Sequence, residues 1–237
     1  MEDVNKYIKD WFINLSLDKI PPSLFVIRKS LLKSIDELKP NIKGDVLDLG
    51  CGVMPYKDYL KNPHIKNYIG IDINNSLYHN LVEPDLFWDG VNIPLEDSSC
   101  DYVIATEFLE HYYDTTHILS EIKRVLKKDG KLFFTVPSIW PIHEAPYDYH
   151  RFTPFSLEKH FKNGEFSEFI IKPLGGLHTS IALILSFWFE KTSFNSLKRI
   201  FKPLFFHIIK FLLKRDKNLN SFQNGQFYSG LFGFVTK

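Results

Sequence analysis

The sequence predicts an α/β fold: a doubly wound, mainly parallel sheet with helices on both faces. Three observations carry this. Short apolar runs of strand length alternate with segments whose apolar residues recur at helical spacing. The runs are apolar nearly throughout, as in strands covered on both faces. Glycines and acids cluster where these runs end, and in an open α/β sheet ligands bind beyond the carboxyl ends of the strands.

Taken in order, Pro21-Pro22-Ser23 reads as a turn and cap. Leu24, Ile27, Leu31, Ile35 and Leu38 then recur at helical spacing, and Pro40 ends the run. The first strand is Asp45 to Gly50 (DVLDLG) and the second Asn67 to Ile73 (NYIGIDI). A third lies around Leu81 to Phe87, weakened by Pro84, and a fourth spans Asp101 to Thr106. Ile118, Ile122, Val125 and Leu126 share a helical face that Asp129-Gly130 is expected to close, and Lys131 to Val136 is a fifth strand. After Pro137 the alternation breaks into a Pro- and aromatic-rich loop running to Phe152. A short helix (Phe155 to Phe161), a sixth strand (EFIIKPL), two Phe-rich helical segments and a seventh strand (FYSGLFGFVT) follow.

The 237 residues, 44% of them apolar, suit one sizeable core rather than two domains. Within it we expect an N-terminal helical segment (1–44), a binding core (45–137), a loop or lid (138–162) and a Phe-rich basic helical insertion (178–217). A net charge of +1 gives no overall field for nucleic acid. Two cysteines, Cys51 and Cys100, make neither a disulfide framework nor a metal cluster and fit a reducing cytoplasm. The nine histidines show no two-His helical spacing, so no metal site is expected. The start of the chain lacks an apolar run behind a basic segment, and Ile181 to Phe189 is too short to span a bilayer.

The chemistry gathers at the strand ends. Asp48-Leu49-Gly50-Cys51-Gly52 leaves the first strand, where glycine permits a tight turn and close approach of a ligand to the backbone. Asp72 ends the second strand 20 residues after Gly52, a spacing at which an acid accepts from both hydroxyls of a ribose. A third glycine of a dinucleotide fingerprint is absent, since Pro55 stands in its place, which argues against a nicotinamide cofactor. Each of these residues also has an ordinary use as a turn or a helix cap.

DVLDLGCGVMPY, YIGIDI, FWDGVNIPLEDSSCDYVIATEFLEH and EIKRVLKKDGKLFFTVP, over roughly residues 45 to 137, together resemble the class I S-adenosylmethionine-dependent methyltransferases. The resemblance implies a Rossmann-like seven-stranded sheet with C-terminal helical additions, and S-adenosylmethionine as cofactor. It implies that Gly50, Cys51 and Gly52 line the methionine part while Asp48 fixes the loop. Asp72 would hold the ribose with Ile73 against the adenine, and Asp89 would accept from the adenine amino group beside Trp88 and Gly90. Glu107 and Phe108 would border the sulfonium. The chain departs from the family at Met54, where a third loop glycine is usual. The Leu109-Glu110-His111 run is also common in the family. We expect Glu110 to make structural hydrogen bonds there and His111 to border the pocket without a catalytic role.

Methyl transfer to a hydroxyl needs a base, and the segment after the fifth strand (Trp140 to Leu157) is where it should lie. His143 is the first choice and His150 the second, because imidazole titrates near neutral pH. Arg151 is suited to holding a carboxylate or phosphate. The competing reading is a packed lid in which Arg151 pairs with Asp148 or Glu144. HEAPYDYHRFT also resembles bacterial members associated with surface-polysaccharide and other glycan pathways, which implies a saccharide or glycan acceptor. Another small metabolite, methylated at oxygen or nitrogen, is the alternative. A nucleotide-binding oxidoreductase and a catalytically silent binding module are the readings from other classes.

From Lys191 to Lys217 there are eight Lys or Arg and one acid, Asp216. A helical wheel puts Ile200, Phe201, Leu204, Phe205, Ile208, Phe211 and Leu212 on one side. Lys198, Arg199, Lys202, Lys210 and Lys214 fall on the other, and Pro203 comes early in the helix. Such a basic amphipathic helix either packs on the core or lies on the inner face of the membrane through 197–215.

Overall fold

The computed structural model describes residues 2–74, 81–192, 195–216 and 221–237. One seven-stranded sheet organises them, in the order β3-β2-β1-β4-β5-β7-β6. The strands are β1 (Gly44–Leu49), β2 (Ile65–Ile73), β3 (Leu86–Trp88), β4 (Cys100–Thr106), β5 (Leu126–Pro137), β6 (Glu168–Leu174) and β7 (Gly230–Thr236). β1 pairs in parallel with both β2 and β4, so strand order reverses between β1 and β4. β5 also runs parallel to β4, whereas β7 enters antiparallel between β5 and β6.

Alternation along the strands splits the core in two. Leu47, Leu49, Val103, Leu132 and Phe134 face one side with Ile118, Leu119, Ile122 and Val125 of α4 (Thr115–Val125) and Leu157 and Phe161 of α5 (Pro154–Asn163). Val46, Tyr102, Ile104 and Phe133 face the other, under Ile27, Leu31, Ile35 and Leu38 of α2 (Pro22–Leu38) and Leu60 of α3 (Lys57–Leu60). A third cluster joins the N-terminal segment, which carries α1 (Glu2–Ile8), to Ala182 and Leu183 of α6 (Leu177–Lys191) and Phe205, Phe206 and Ile209 of α7 (Asn195–Arg215).

The caps follow from local chemistry. Asp114 accepts from the His117 amide at the start of α4, and Thr153 and Ser156 form a reciprocal capping box around Pro154 at the start of α5. Glu190 supplies the missing cap of α2 from α6, accepting from both the amide (2.7 Å) and the hydroxyl (2.8 Å) of Ser23.

Several sequence boundaries shift. The third strand is Leu86–Trp88, after Pro84 rather than across it. α4 stops at Val125 and runs directly into β5, so Asp129-Gly130 does not close the helix. Asp129 instead takes φ +61° within the β5 span, beside the smallest residue. The seventh strand begins at Gly230, not Phe227.

The tail departs further. Pro203 lies well inside α7, not in its first turns. The buried row of that helix is Phe205, Phe206 and Ile209, with Leu212 and Leu213 packed against it. Of the expected row, Ile200, Phe201, Leu204, Ile208 and Phe211 remain exposed. The helical-wheel side was set by hydropathy alone, whereas packing on α6, where Phe189 and Phe205 stack at 4.1 Å, decides the rotation. The side chains of Lys198 and Arg199, and Lys217 altogether, lie outside the described residues. No helix among the described residues is long and apolar enough to cross a membrane.

Candidate active site

The carboxyl ends of β1, β2, β3 and β4 meet around the reversal of strand order. Gly50 and Gly52 take φ +68° and +49°, and the Gly50 and Cys51 amides both reach the carbonyl of Ile71 (2.9 and 3.1 Å). A Cβ on Gly50 would stand 2.4 Å from Phe108 Cδ2, so glycine lets the Phe108 ring close on the turn. Asp72, nearly buried, accepts from the Gly52 amide through Oδ2 (2.9 Å) and from the Ile73 amide through Oδ1 (2.7 Å). Asp48 lies beneath the turn, takes the Tyr68 hydroxyl at 2.7 Å, and is pushed by burial up to about 7.

The next wall is aromatic. Trp88 stacks on Tyr112 (5.8 Å between centroids, 5° between planes) and approaches Phe108 at 6.0 Å. Its indole Nε1 is buried with no partner among the described residues. Asp89 spends Oδ1 on the Val91 and Asn92 amides, which fixes the turn carrying Gly90. A Cβ on Gly90 would meet nothing within 4 Å, so open space adjoins this turn. Glu107, at φ +49°, is clamped to β5: its amide reaches the Thr135 hydroxyl and its Oε1 accepts from that hydroxyl (2.8 Å). Enclosure by the protein raises the pKa of its carboxyl.

On the far side of Glu107, the 3-10 turn Leu109–His111 meets the loop that leaves β5. The Glu110 carbonyl accepts from the amides of Tyr149 (2.9 Å) and His150 (3.2 Å), which stitches the loop to the turn. His111 and His143 are brought edge to face, 4.7 Å apart. His143 Nδ1 stands 3.3 Å from Asp148 Oδ2, and burial lowers its pKa, keeping the imidazole neutral at neutral pH. Arg151 holds both oxygens of Asp148 (2.6 and 2.8 Å) and drives that acid down to about 2.

Residues 47–134 match the methyltransferase domain family. The matched segment runs from β1 to the body of β5 and contains the whole Gly50–Asp72–Trp88–Glu107 wall. Over 98 residues the chain is 34% identical to phthiotriol/phenolphthiotriol dimycocerosates methyltransferase 1 of Mycobacterium ulcerans, covering 38% of this chain and 36% of that protein. It is 29% identical to an O-methyltransferase of Pyrenophora dematioidea, covering 43% and 42%. The curated relatives are thus matched over 36% to 61% of their own lengths. Among solved structures, an S-adenosylmethionine-dependent methyltransferase of Thermotoga maritima, titled a possible histamine N-methyltransferase, shares the fold with a TM-score of 0.58. The identity is 18%, over 98% of this chain and 99% of that one.

The matched segment and the loop behind it treat the sequence-predicted residues unequally. Gly50, Gly52, Asp72, Phe108 and Glu107 share one wall with Trp88, Asp89 and Gly90. Ile73 adjoins them at the end of β2, 40% exposed. Cys51 brings only its backbone. Its buried sulfur packs toward Gly70, where a Cβ would come within 2.9 Å of it.

Arg151 is spent on Asp148 and on the carbonyls of His150, Trp140 and Pro141, so the lid reading describes it and the anion-holding role does not. The His150 ring turns to the Tyr113 carbonyl (3.1 Å) and to Phe152, away from His143. The structural hydrogen bonds of Glu110 run through its carbonyl, while its side chain is fully buried and neither carboxyl oxygen has a hydrogen-bond partner among the described residues. Sequence reasoning also missed Tyr112, whose ring backs Trp88 and whose hydroxyl donates to the Gly90 carbonyl (2.8 Å). Its place directly after Glu110-His111 was the available signal.

Proposed function

We propose that the protein is an S-adenosylmethionine-dependent methyltransferase that methylates a hydroxyl of a saccharide or glycan intermediate. The observation that carries this is Asp72, at the end of β2, bonded to the Gly52 amide of the β1 turn where strand order reverses. The residues fit a nucleoside: a nearly buried acid at the strand end, an apolar wall of Ile73 and Trp88, and open space beside Gly90. When bound, the cofactor supplies a methyl group already activated on a sulfonium.

The chain supplies position and proton removal. Asp72 accepts from the ribose hydroxyls, Asp89 uses its Oδ2 for the adenine amino group, and the Gly50–Gly52 backbone lines the methionine part. Glu107 and Phe108 border the reacting centre, and the closed aromatic wall keeps water out. Holding acceptor and methyl group in line is worth up to about 7–11 kcal/mol. His143, neutral and half-buried, takes the hydroxyl proton. The exposed rings of Tyr147, Tyr149 and Tyr113 around this cluster suit the face of a sugar.

Calorimetric titration with S-adenosylmethionine, with NAD and NADP as controls, tests the reading. Micromolar binding of the methyl donor, lost in Asp72→Ala, is expected. A folded protein that ignores the donor, or that binds NAD equally well, overturns it.

The tail supports a second, compatible proposal: peripheral contact with an anionic membrane. Ile200, Phe201, Leu204, Ile208 and Phe211 are exposed on α7, and Lys202, Lys210 and Lys214 are exposed beside them. Lys29 and Lys33 of α2 add to the same basic patch, since Lys33, Lys210 and Lys214 all depress the Lys29 pKa, behind the larger effect of burial.

A further inference from the structure

Glu110, His111 and His143 form a set that the cofactor half of the site does not use. Each offers one ligand atom, and these atoms all lie within 4.8 Å of one another. The chain builds the set from two distant segments and then fixes it through backbone: the Tyr149 and His150 amides both bond to the Glu110 carbonyl.

Two observations beyond proximity point to a ligand. Glu110 is fully buried, yet neither of its carboxylate oxygens accepts a hydrogen bond among the described residues. A buried carboxyl group without a partner forfeits its hydration whether or not it is ionised, and buried polar groups in native proteins are normally hydrogen-bonded or ligand-bound. His111 is tuned from behind. Its Nδ1 lies 2.9 Å from the Tyr147 carbonyl, and a carbonyl can only accept. The proton therefore sits on Nδ1, and Nε2 presents a lone pair 3.8 Å from Glu110 Oε1 and 3.9 Å from Glu144 Oε2. An imidazole whose outer N–H is held by a carbonyl is the usual arrangement of a metal-bound histidine. His143 adds a second imidazole, whose buried Nδ1 makes no hydrogen bond among the described residues. Two adjacent imidazoles repel if both are charged, but as neutral donors they can share one cation.

We propose that Glu110, His111 and His143 bind a divalent cation whose open positions receive the acceptor's hydroxyl. Two nitrogens and one carboxylate favour an ion of the Mn²⁺, Co²⁺ or Zn²⁺ kind over Ca²⁺. Ligands at about 2.0–2.2 Å from an ion in a tetrahedral set lie about 3.3–3.6 Å apart, so the set closes by a contraction of about 1–1.5 Å at its widest pair. The proposal rests on the methyltransferase reading for its chemistry and deepens it, but its binding can be tested alone. With the cation present His143 is a ligand, and the cation replaces it in activating the acceptor. The hydroxyl O–H bond breaks and its proton leaves to bulk water. The oxygen electron pair forms the new bond to the methyl carbon, and the pair of the old sulfur–carbon bond returns to sulfur, leaving a neutral thioether. The acceptor class this favours carries two neighbouring oxygens, as a sugar diol does, because a three-ligand set leaves positions for both.

The test is titration of chelator-treated full-length protein with Co²⁺, followed by visible absorption, and with Mn²⁺, followed by the loss of its free paramagnetic signal. One equivalent binding at micromolar concentration, with the d–d bands of a nitrogen-ligated ion, is expected. Glu110→Gln and His143→Ala should each weaken it by at least about tenfold. Calorimetry with S-adenosylmethionine on the metal-free protein separates the two readings. Donor binding without cation binding overturns the cation proposal alone. Loss of donor binding with the cation retained overturns the cofactor reading alone. If a variant fails to fold, the wild-type titration decides: no Co²⁺ spectrum and no Mn²⁺ uptake below millimolar concentration overturns the site.

Discussion

Asp48 and Asp148 are the same residue type with opposite pH behaviour, and their surroundings explain it. Asp48 is buried under the Gly50 turn, with the Tyr68 hydroxyl only partly offsetting the loss of water, so it is raised to about 7. Its unfolded value is about 3.9. Between these two values the folded chain holds more protons than the unfolded one, so the Asp48 contribution to stability falls as pH rises, by up to about 1.4 kcal/mol per unit. Asp48→Asn should therefore flatten the decline in urea midpoint between pH 5 and 7. An unchanged slope would mean that Asp48 is ionised throughout that range. Asp148 goes the other way: Arg151 holds it at about 2, so its stabilising effect is complete above about pH 4 and fades as pH falls toward 2. Arg151→Gln should remove that acid-side loss and loosen the loop over Glu110.

At the scale of elements, β7 depends on having no side chain at one position. A Cβ on Gly233 would sit 2.2 Å from the Ile170 carbonyl on β6 and 2.8 Å from the Phe134 ring. Gly233→Ala should force β6 and β7 apart and cost about 1–3 kcal/mol, measurable by chemical denaturation. A loss within error would show that the sheet edge adjusts freely. On α4, Ile122 is fully buried between helix and sheet, and Ile122→Ala should cost about 2–5 kcal/mol. α7 shows packing overruling propensity. A proline in a helix interior costs about 3 kcal/mol or more, yet the helix runs on through Pro203 because Phe205, Phe206 and Ile209 are buried against α6.

Across the whole molecule, the sheet presents its chemistry at one end while α6 and α7 close a separate apolar cluster against the N-terminal segment. That arrangement leaves a second apolar row of α7 facing outward beside lysines. If it lies on a membrane, the protein should float with vesicles rich in anionic lipid at low salt and be released at high salt. Leu204→Asp should weaken this without shifting the donor affinity. Failure to float on anionic vesicles at low salt would leave the row as ordinary exposed surface.

The arrangement of the glycine turn and the strand-end acids was legible in the sequence because it is local. Asp48, Gly50 and Gly52 sit within five residues of one another, Asp72 follows at a fixed spacing, and Glu107 directly follows β4. The sterics of a strand, a glycine turn and a strand end determine where such residues point before anything packs. The strands were legible for the same reason, EFIIKPL matching β6 from Glu168 to Leu174. The meeting of the two histidines was not. His143 stands 32 residues from His111, and no spacing rule joins two loops that meet only once β4 and β5 are paired. The rotation of α7 and the capture of Arg151 by Asp148 share that cause. Local chain sterics determine what each segment becomes, but which side chains share a buried space depends on how the sheet closes. Only the tertiary structure placed Glu110, its buried carboxyl without a hydrogen-bond partner among the described residues, beside two imidazoles.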